Sequence, residues 1–123
     1  HFSLPEILVY NWLDKHALDM NIEWTAQLAI GEAGSRVDVV ITSPTYIYGR
    51  VQGLYFHVAD PTQVALDEIA RQRLMANEGR LVIDLWEPDI YNALDETMRD
   101  FLNGVQRPRP DSLYQLRPSW SHN

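Results

Sequence analysis

The chain has 123 residues, enough for one domain with an ordinary hydrophobic core. Its residues are 46% apolar and 11% aromatic, which excludes bulk disorder, and with no cysteine it can form neither disulfides nor thiolate metal sites, as fits an intracellular setting. A net charge of -7 argues against a general polyanion binder, because affinity for nucleic acid comes largely from cationic groups that neutralise phosphates.

Nothing at the start resembles a signal peptide, and no apolar run approaches membrane-spanning length. The expectation is a soluble chain with no membrane partner, cytoplasmic or, for a phage protein, associated with the virion. Lys15 is the only lysine. Arginines gather instead, Arg71, Arg73 and Arg80 in one region and Arg107, Arg109 and Arg117 near the end, so local charge can differ from net charge.

Ser3-Leu4-Pro5-Glu6 opens the first helix, with Ser3 as N-cap and Glu6 three residues later in capping-box register. Leu8, Val9, Trp12, Leu13 and His16 recur at helical spacing, which predicts a helix over roughly residues 4–18. Ile22, Trp24, Ala26 and Leu28 then alternate with polar neighbours, as in a half-buried strand. The stretch from Gly31 to Ser35 turns the chain into a second strand, Arg36-Val37-Asp38-Val39-Val40-Ile41. A Ser43-Pro44 turn leads to a third, from Tyr46 to about Gly53. Their short connections predict an antiparallel meander.

The period changes in the second half. Asp60-Pro61 supplies a cap and an N1 proline for a helix whose apolar positions are Val64, Leu66, Ile69, Ala70 and Leu74, ended by Asn77-Glu78-Gly79. Leu81 to Trp86 reads as a buried strand, and strand, helix, strand in that order predicts a parallel crossover. Glu87-Pro88-Asp89 starts one last helix with Ile90, Leu94, Met98, Phe101 and Leu102 inward, closed by Gly104. Residues 1–104 are thus expected to form a single domain. Residues 105–123 form an extended, Pro- and Arg-containing tail, with Leu113, Tyr114, Leu116 and Trp120 as anchors for a protein partner.

Asp38 is the chemical anomaly. An acid inside an apolar strand loses solvation unless a hydrogen bond, a cation or an exposed strand end compensates, so it reads either as a metal ligand or as a carboxylate bonded to backbone at a strand mouth. Asp84 raises the same question in the fourth strand. Its expected partner is a helix terminus or an arginine, Arg80 or Arg99.

The α-β-β-β-α-β-α order is that of an α/β fold with a mixed central sheet flanked by helices. With an acid on the second strand and polar groups on the third, it resembles the restriction-endonuclease-like core of the PD-(D/E)xK nuclease superfamily. The stretches Arg36-Val37-Asp38-Val39-Val40 and Val51-Gln52-Gly53-Leu54-Tyr55-Phe56-His57 are similar to the very-short-patch-repair endonucleases. Arg73-Leu74, Gly79 and Val82-Ile83-Asp84-Leu85-Trp86-Glu87 match that family's closing helix and strand, so the likeness covers roughly residues 3–90.

The resemblance implies a site. Asp38 falls at the aspartate that binds a divalent cation, normally magnesium, and Val51 where a backbone carbonyl is the second ligand. Glu6 falls at a first-helix glutamate that positions metal-bound water, and His57 at a histidine that assists proton transfer or stabilises charge at the phosphate. The implied chemistry is metal-assisted hydrolysis of a DNA phosphodiester in repair, restriction or phage DNA processing.

Other features point away from catalysis. Gln52 stands where the repair enzymes carry histidine and the wider superfamily often an acid; it cannot serve as a base, although its amide oxygen could bind a cation or orient a water. The superfamily lysine would fall at Leu54. Glu6 is also explained as the capping partner of Ser3, and His57 as a surface or packing residue. Two functions therefore stand: a magnesium-dependent endonuclease in which Glu6, Asp38, Gln52 and His57 converge within a basic rim, and a catalytically degenerate module with a structural or binding role in a larger assembly.

Overall fold

The computed structural model describes residues 2–30, 35–53 and 61–110. In chain order these form α1 (Leu4–Met20), β1 (Glu23–Ile30), β2 (Ser35–Ser43), β3 (Ile47–Gln52), α2 (Pro61–Glu78), β4 (Leu81–Trp86), α3 (Glu87–Asn92) and α4 (Leu94–Leu102). The four strands make one sheet in the order β1-β2-β3-β4. The first three are antiparallel neighbours, and β4 runs parallel to β3. The molecule is therefore an α/β protein with a four-stranded mixed sheet flanked by helices. Among the described residues, no helix is long and apolar enough to cross a membrane.

The α1 cap forms as its sequence dictates. The Ser3 hydroxyl accepts from the Glu6 N–H, and the Glu6 carboxylate accepts from the Ser3 N–H, which together contribute about 1 kcal/mol to the helix. The other end is closed by Asn21 at φ 56°, in the left-handed region that asparagine tolerates. The Asp60 cap expected for α2 lies outside the described residues, as do the Gly31 turn and His57.

Two cores sandwich the sheet. Val9, Trp12 and Leu13 of α1 meet Val39, Ile41, Ile83 and Leu85 of the sheet, with Ile90 of α3 and Met98 and Phe101 of α4. The opposite face carries Val37, Val40, Tyr48 and Val82 under Leu74 of α2. Gly49 lets the first core close: a Cβ there would meet Val39 Cγ1 at 2.6 Å and Phe101 Cζ at 2.9 Å.

Two expectations are corrected. The last helix is two helices, broken at Ala93 with φ -149° and ψ 52°. There the Asn92 side-chain amide takes the Pro88 carbonyl at 2.8 Å, the local competition with helical bonding that makes asparagine a poor interior residue. The other correction concerns α2. Leu66, Ile69 and Ala70 are exposed, and the inward stripe is Val64, Asp67, Glu68, Arg71, Leu74, Met75 and Glu78. That stripe has helical spacing, but its inward groups are mostly charged, so hydrophobic periodicity cannot find it.

Candidate functional site

Trp24 and Ala26 pack with Val39 and Ile41 in the first core, yet Leu28 packs with Val37 and Val40 in the second. Both strands therefore change face between the Ala26–Val39 and Leu28–Val37 pairs, and Gln27 and Asp38 occupy that interval. The β2–β3 pairing reaches Val39–Gly49 and stops there. Beyond it, the Val51 N–H donates to Asp38 Oδ2, at 2.7 Å. The carboxyl group stands in for a ladder partner where the two strands part.

The first turn of α1 brings Glu6 to the same place. Glu6 Oε1 accepts from the Ser3 hydroxyl at 2.8 Å and the Ser3 N–H at 3.2 Å, and Oε2 accepts from Gln27 Nε2 at 2.9 Å. The Glu6 and Asp38 carboxyl groups also lie within hydrogen-bonding reach of each other. A second carboxylate that close disfavours the charged form of both, and a proton or a cation relieves the repulsion. Glu6 is thus both a capping residue and a neighbour of Asp38.

The surroundings decide which acid takes the proton. Burial has the largest influence on Asp38 and raises it; the Val51 N–H and Arg36 favour its charged form, but the charge and hydrogen bond of Glu6 add to the rise, to about 6. Burial also acts to raise Glu6, yet the Ser3 and Gln27 donors and the bond to Asp38 outweigh it and hold Glu6 below its ordinary value. Of the two acids, Asp38 is the one that keeps its proton to higher pH. Tyr10 closes the floor, its hydroxyl donating to the Asp38 carbonyl at 2.6 Å and its ring stacked on Trp24 at 5.7 Å. Burial, then the charges of Glu6 and Asp38, push the phenol above its ordinary range, so it remains a neutral donor.

The remaining candidates lie elsewhere or outside the described residues. Gln52 is buried and directed to the α2 side, where its Nε2 donates to Asp84 Oδ1 at 3.2 Å. Asp84 pairs not with Arg80 or Arg99 but with Arg50, Nε to Oδ1 at 2.9 Å, and with Arg71 at 3.8 Å. The reason is topological, since Arg50 is the register partner of Asp84 on the parallel neighbour. Arg80 instead lies over the Tyr46 ring and Arg99 pairs with Asp95.

The segment after α4 is tied to this body. Gln106 accepts from the Asp84 N–H at 2.8 Å and donates to the Asp84 carbonyl at 3.1 Å, covering β4 as a neighbouring strand would. Arg107 pairs with Asp89 and Asp100, and Arg109 lies over Trp86 and 3.6 Å from Asp67. These arginines, like Arg50 and Arg71, face carboxylates of the same chain; the guanidinium beside the Glu6–Asp38 pair is Arg36. The anchors Leu113, Tyr114, Leu116 and Trp120 lie outside the described residues.

The donor set fits a hard cation of the magnesium type, which takes one or two carboxylates and keeps several waters. Asp38 and Glu6 would hold it in place of the Asp38 proton. Among the described residues, no group of three or more acidic or histidine side chains could enclose a metal ion. Sequence reasoning missed Gln27, because the alternation of Trp24, Ala26 and Leu28 assigns it to the solvent side. The chain matches no family model, no curated protein and no solved structure.

Proposed function

We propose that this protein is a magnesium-dependent DNA endonuclease with a restriction-endonuclease-like core, similar to the very-short-patch-repair enzymes of the PD-(D/E)xK superfamily. One observation carries the reading: acids from α1 and β2, distant in sequence, come together where β2 and β3 part, each held by donors of its own. A purely structural role for Asp38 would need only the Val51 N–H. Glu6, with three donors, stays ionised beside a half-buried partner, and nearby acids that differ in proton affinity are a frequent mark of functional sites.

In this reading Asp38 and Glu6 supply the carboxylate oxygens, and the resemblance adds the Val51 carbonyl. When bound, magnesium supplies Lewis acidity that offsets charge on the phosphate oxygens. The chain itself keeps Tyr10 neutral below the site, holds Glu6 ionised and fixes Asp38 through Val51. His57 would assist proton transfer.

The engagement of Gln52 with Asp84 favours a second reading, the catalytically degenerate module, because no side chain at that position is then offered to a phosphate. Supercoiled and linear DNA incubated with the protein in magnesium or manganese separates the two. Cleavage by the wild type that is lost in Asp38→Ala supports the endonuclease; equal background cleavage by both proteins leaves only the module.

A further inference from the structure

The residue that marks the change of face on β1 is not a glycine. Gln27 has φ 41°, in the left-handed region that a glutamine enters only under strain. Such strain persists where surrounding contacts over-determine it. Here they do: Gln27 Nε2 donates to Glu6 Oε2 at 2.9 Å, and Gln27 Oε1 accepts from Arg36 Nη2 at 2.7 Å.

Chemistry settles the direction of the amide. A guanidinium can only donate, so the amide oxygen must face Arg36 and the NH2 group must face Glu6. Ser3 occupies Glu6 Oε1, which leaves Oε2 for Gln27. Without the second hold, a glutamate on the first turn of a helix has its cap as anchor and water as the alternative. The groups facing Glu6 and Asp38 are Ser3 at the α1 cap, Tyr10 of α1, Gln27 of β1, Arg36 of β2 and the Val51 N–H of β3.

We propose that Gln27 is the positioning residue of this site: Arg36 aims its amide, and the amide holds Glu6 beside Asp38 so that the two carboxyl groups are set as oxygen donors for a divalent cation. The cation half rests on the function proposed above; the positioning half stands on the geometry of the metal-free protein. Groups that orient ligands commonly change metal affinity by about 10–100-fold when removed. A glycine at this position would relieve the backbone and still lose the amide.

The test uses the full chain and two variants, Gln27→Met, which keeps length and apolar bulk, and Gln27→Gly, which suits the positive φ if the first folds poorly. Metal-free crystal structures read the Glu6 side chain, and electron paramagnetic resonance of manganese reads cation binding. The expected result is a Glu6 side chain turned away from Asp38 in both variants, with manganese bound about 10-fold or more weakly than by the wild type. Glu6 unmoved in both variants overturns the positioning role whatever manganese does. Glu6 displaced while the wild type itself binds no manganese overturns the cation reading and leaves the positioning role standing.

Discussion

The Val51 N–H donates to Asp38 Oδ2 at 2.7 Å, so a side chain on β2 takes the place of a backbone acceptor at the point where its pairing with β3 has ended. A carboxyl group can fill that place while keeping its second oxygen for other chemistry. A strand carbonyl could not. The consequences of this bond and of the Glu6 contact beside it can be measured.

Asp38 makes stability fall as pH rises. Its folded value of about 6 lies above the ordinary 3.8, so its contribution is fully present below 3.8 and is lost as pH climbs through 6. Glu6, lowered from 4.5, acts in the opposite direction and only in more acid solution. The thermal midpoint of the wild type should therefore drop between about pH 4.5 and pH 7, and Asp38→Asn should flatten that part of the profile. A variant profile that superimposes on the wild type over this window contradicts the assignment of the proton to Asp38.

A cation and the Asp38 proton compete for one pair of carboxyl groups. Millimolar magnesium or manganese should raise the thermal midpoint near pH 8 and have little effect near pH 5, because a ligand that binds only the folded state stabilises it. Asp38→Ala should abolish the rise. An equal rise in that variant would place the ion elsewhere.

Asp84 holds a buried charge network together. It is 2% exposed, bonded to Arg50 and Gln52 and near Arg71. Asp84→Ala takes away the nearest counter-charge of Arg50 and leaves Arg50 with Asp67 at 3.8 Å and Arg71 with Glu68 at 3.2 Å, so the cost should fall at or below the low end of the about 3–5 kcal/mol of a broken buried pair. Asp84→Asn, which keeps an acceptor, should lose less. Urea unfolding of the three proteins gives the comparison, and a loss below about 1 kcal/mol in Asp84→Ala would show that Asp84 is dispensable to the network.

Gly49 faces a wall of side chain rather than open space. Gly49→Ala places a methyl group 2.6 Å from Val39 Cγ1, an overpacking expected to cost about 1–3 kcal/mol. The penalty should shrink in a Val39→Ala background, because the two changes share one space and do not add. Simple additivity in denaturant titrations would mean that the close approach is relieved another way.

Much of the fold was legible in local chemistry. Ser3, Pro5 and Glu6 announce α1, the apolar runs announce β2 to β4, and the β3-α2-β4 order announces a parallel pair, because each depends on spacing along the chain. Asp38 was legible as an anomaly for the same reason: a charge in an apolar strand needs an explanation. The α2 face was misread, since Asp67 and Arg71 point inward to partners on other elements, and a charge carries no sign in the sequence of being paired.

The sequence by itself determined the order of the strands, the cap of α1 and the presence of an acid that apolar surroundings disfavour. Only the tertiary structure decided what that acid meets. Glu6, held by Gln27, and the Val51 N–H reach Asp38 because two strands change face together and a helix end lies above them. The same folding turned Gln52 toward Asp84, so that one of the expected site residues belongs to the opposite face. Short-range propensities are written residue by residue, whereas proximity between distant residues depends on how whole elements pack, and packing sums over contacts that no local window contains.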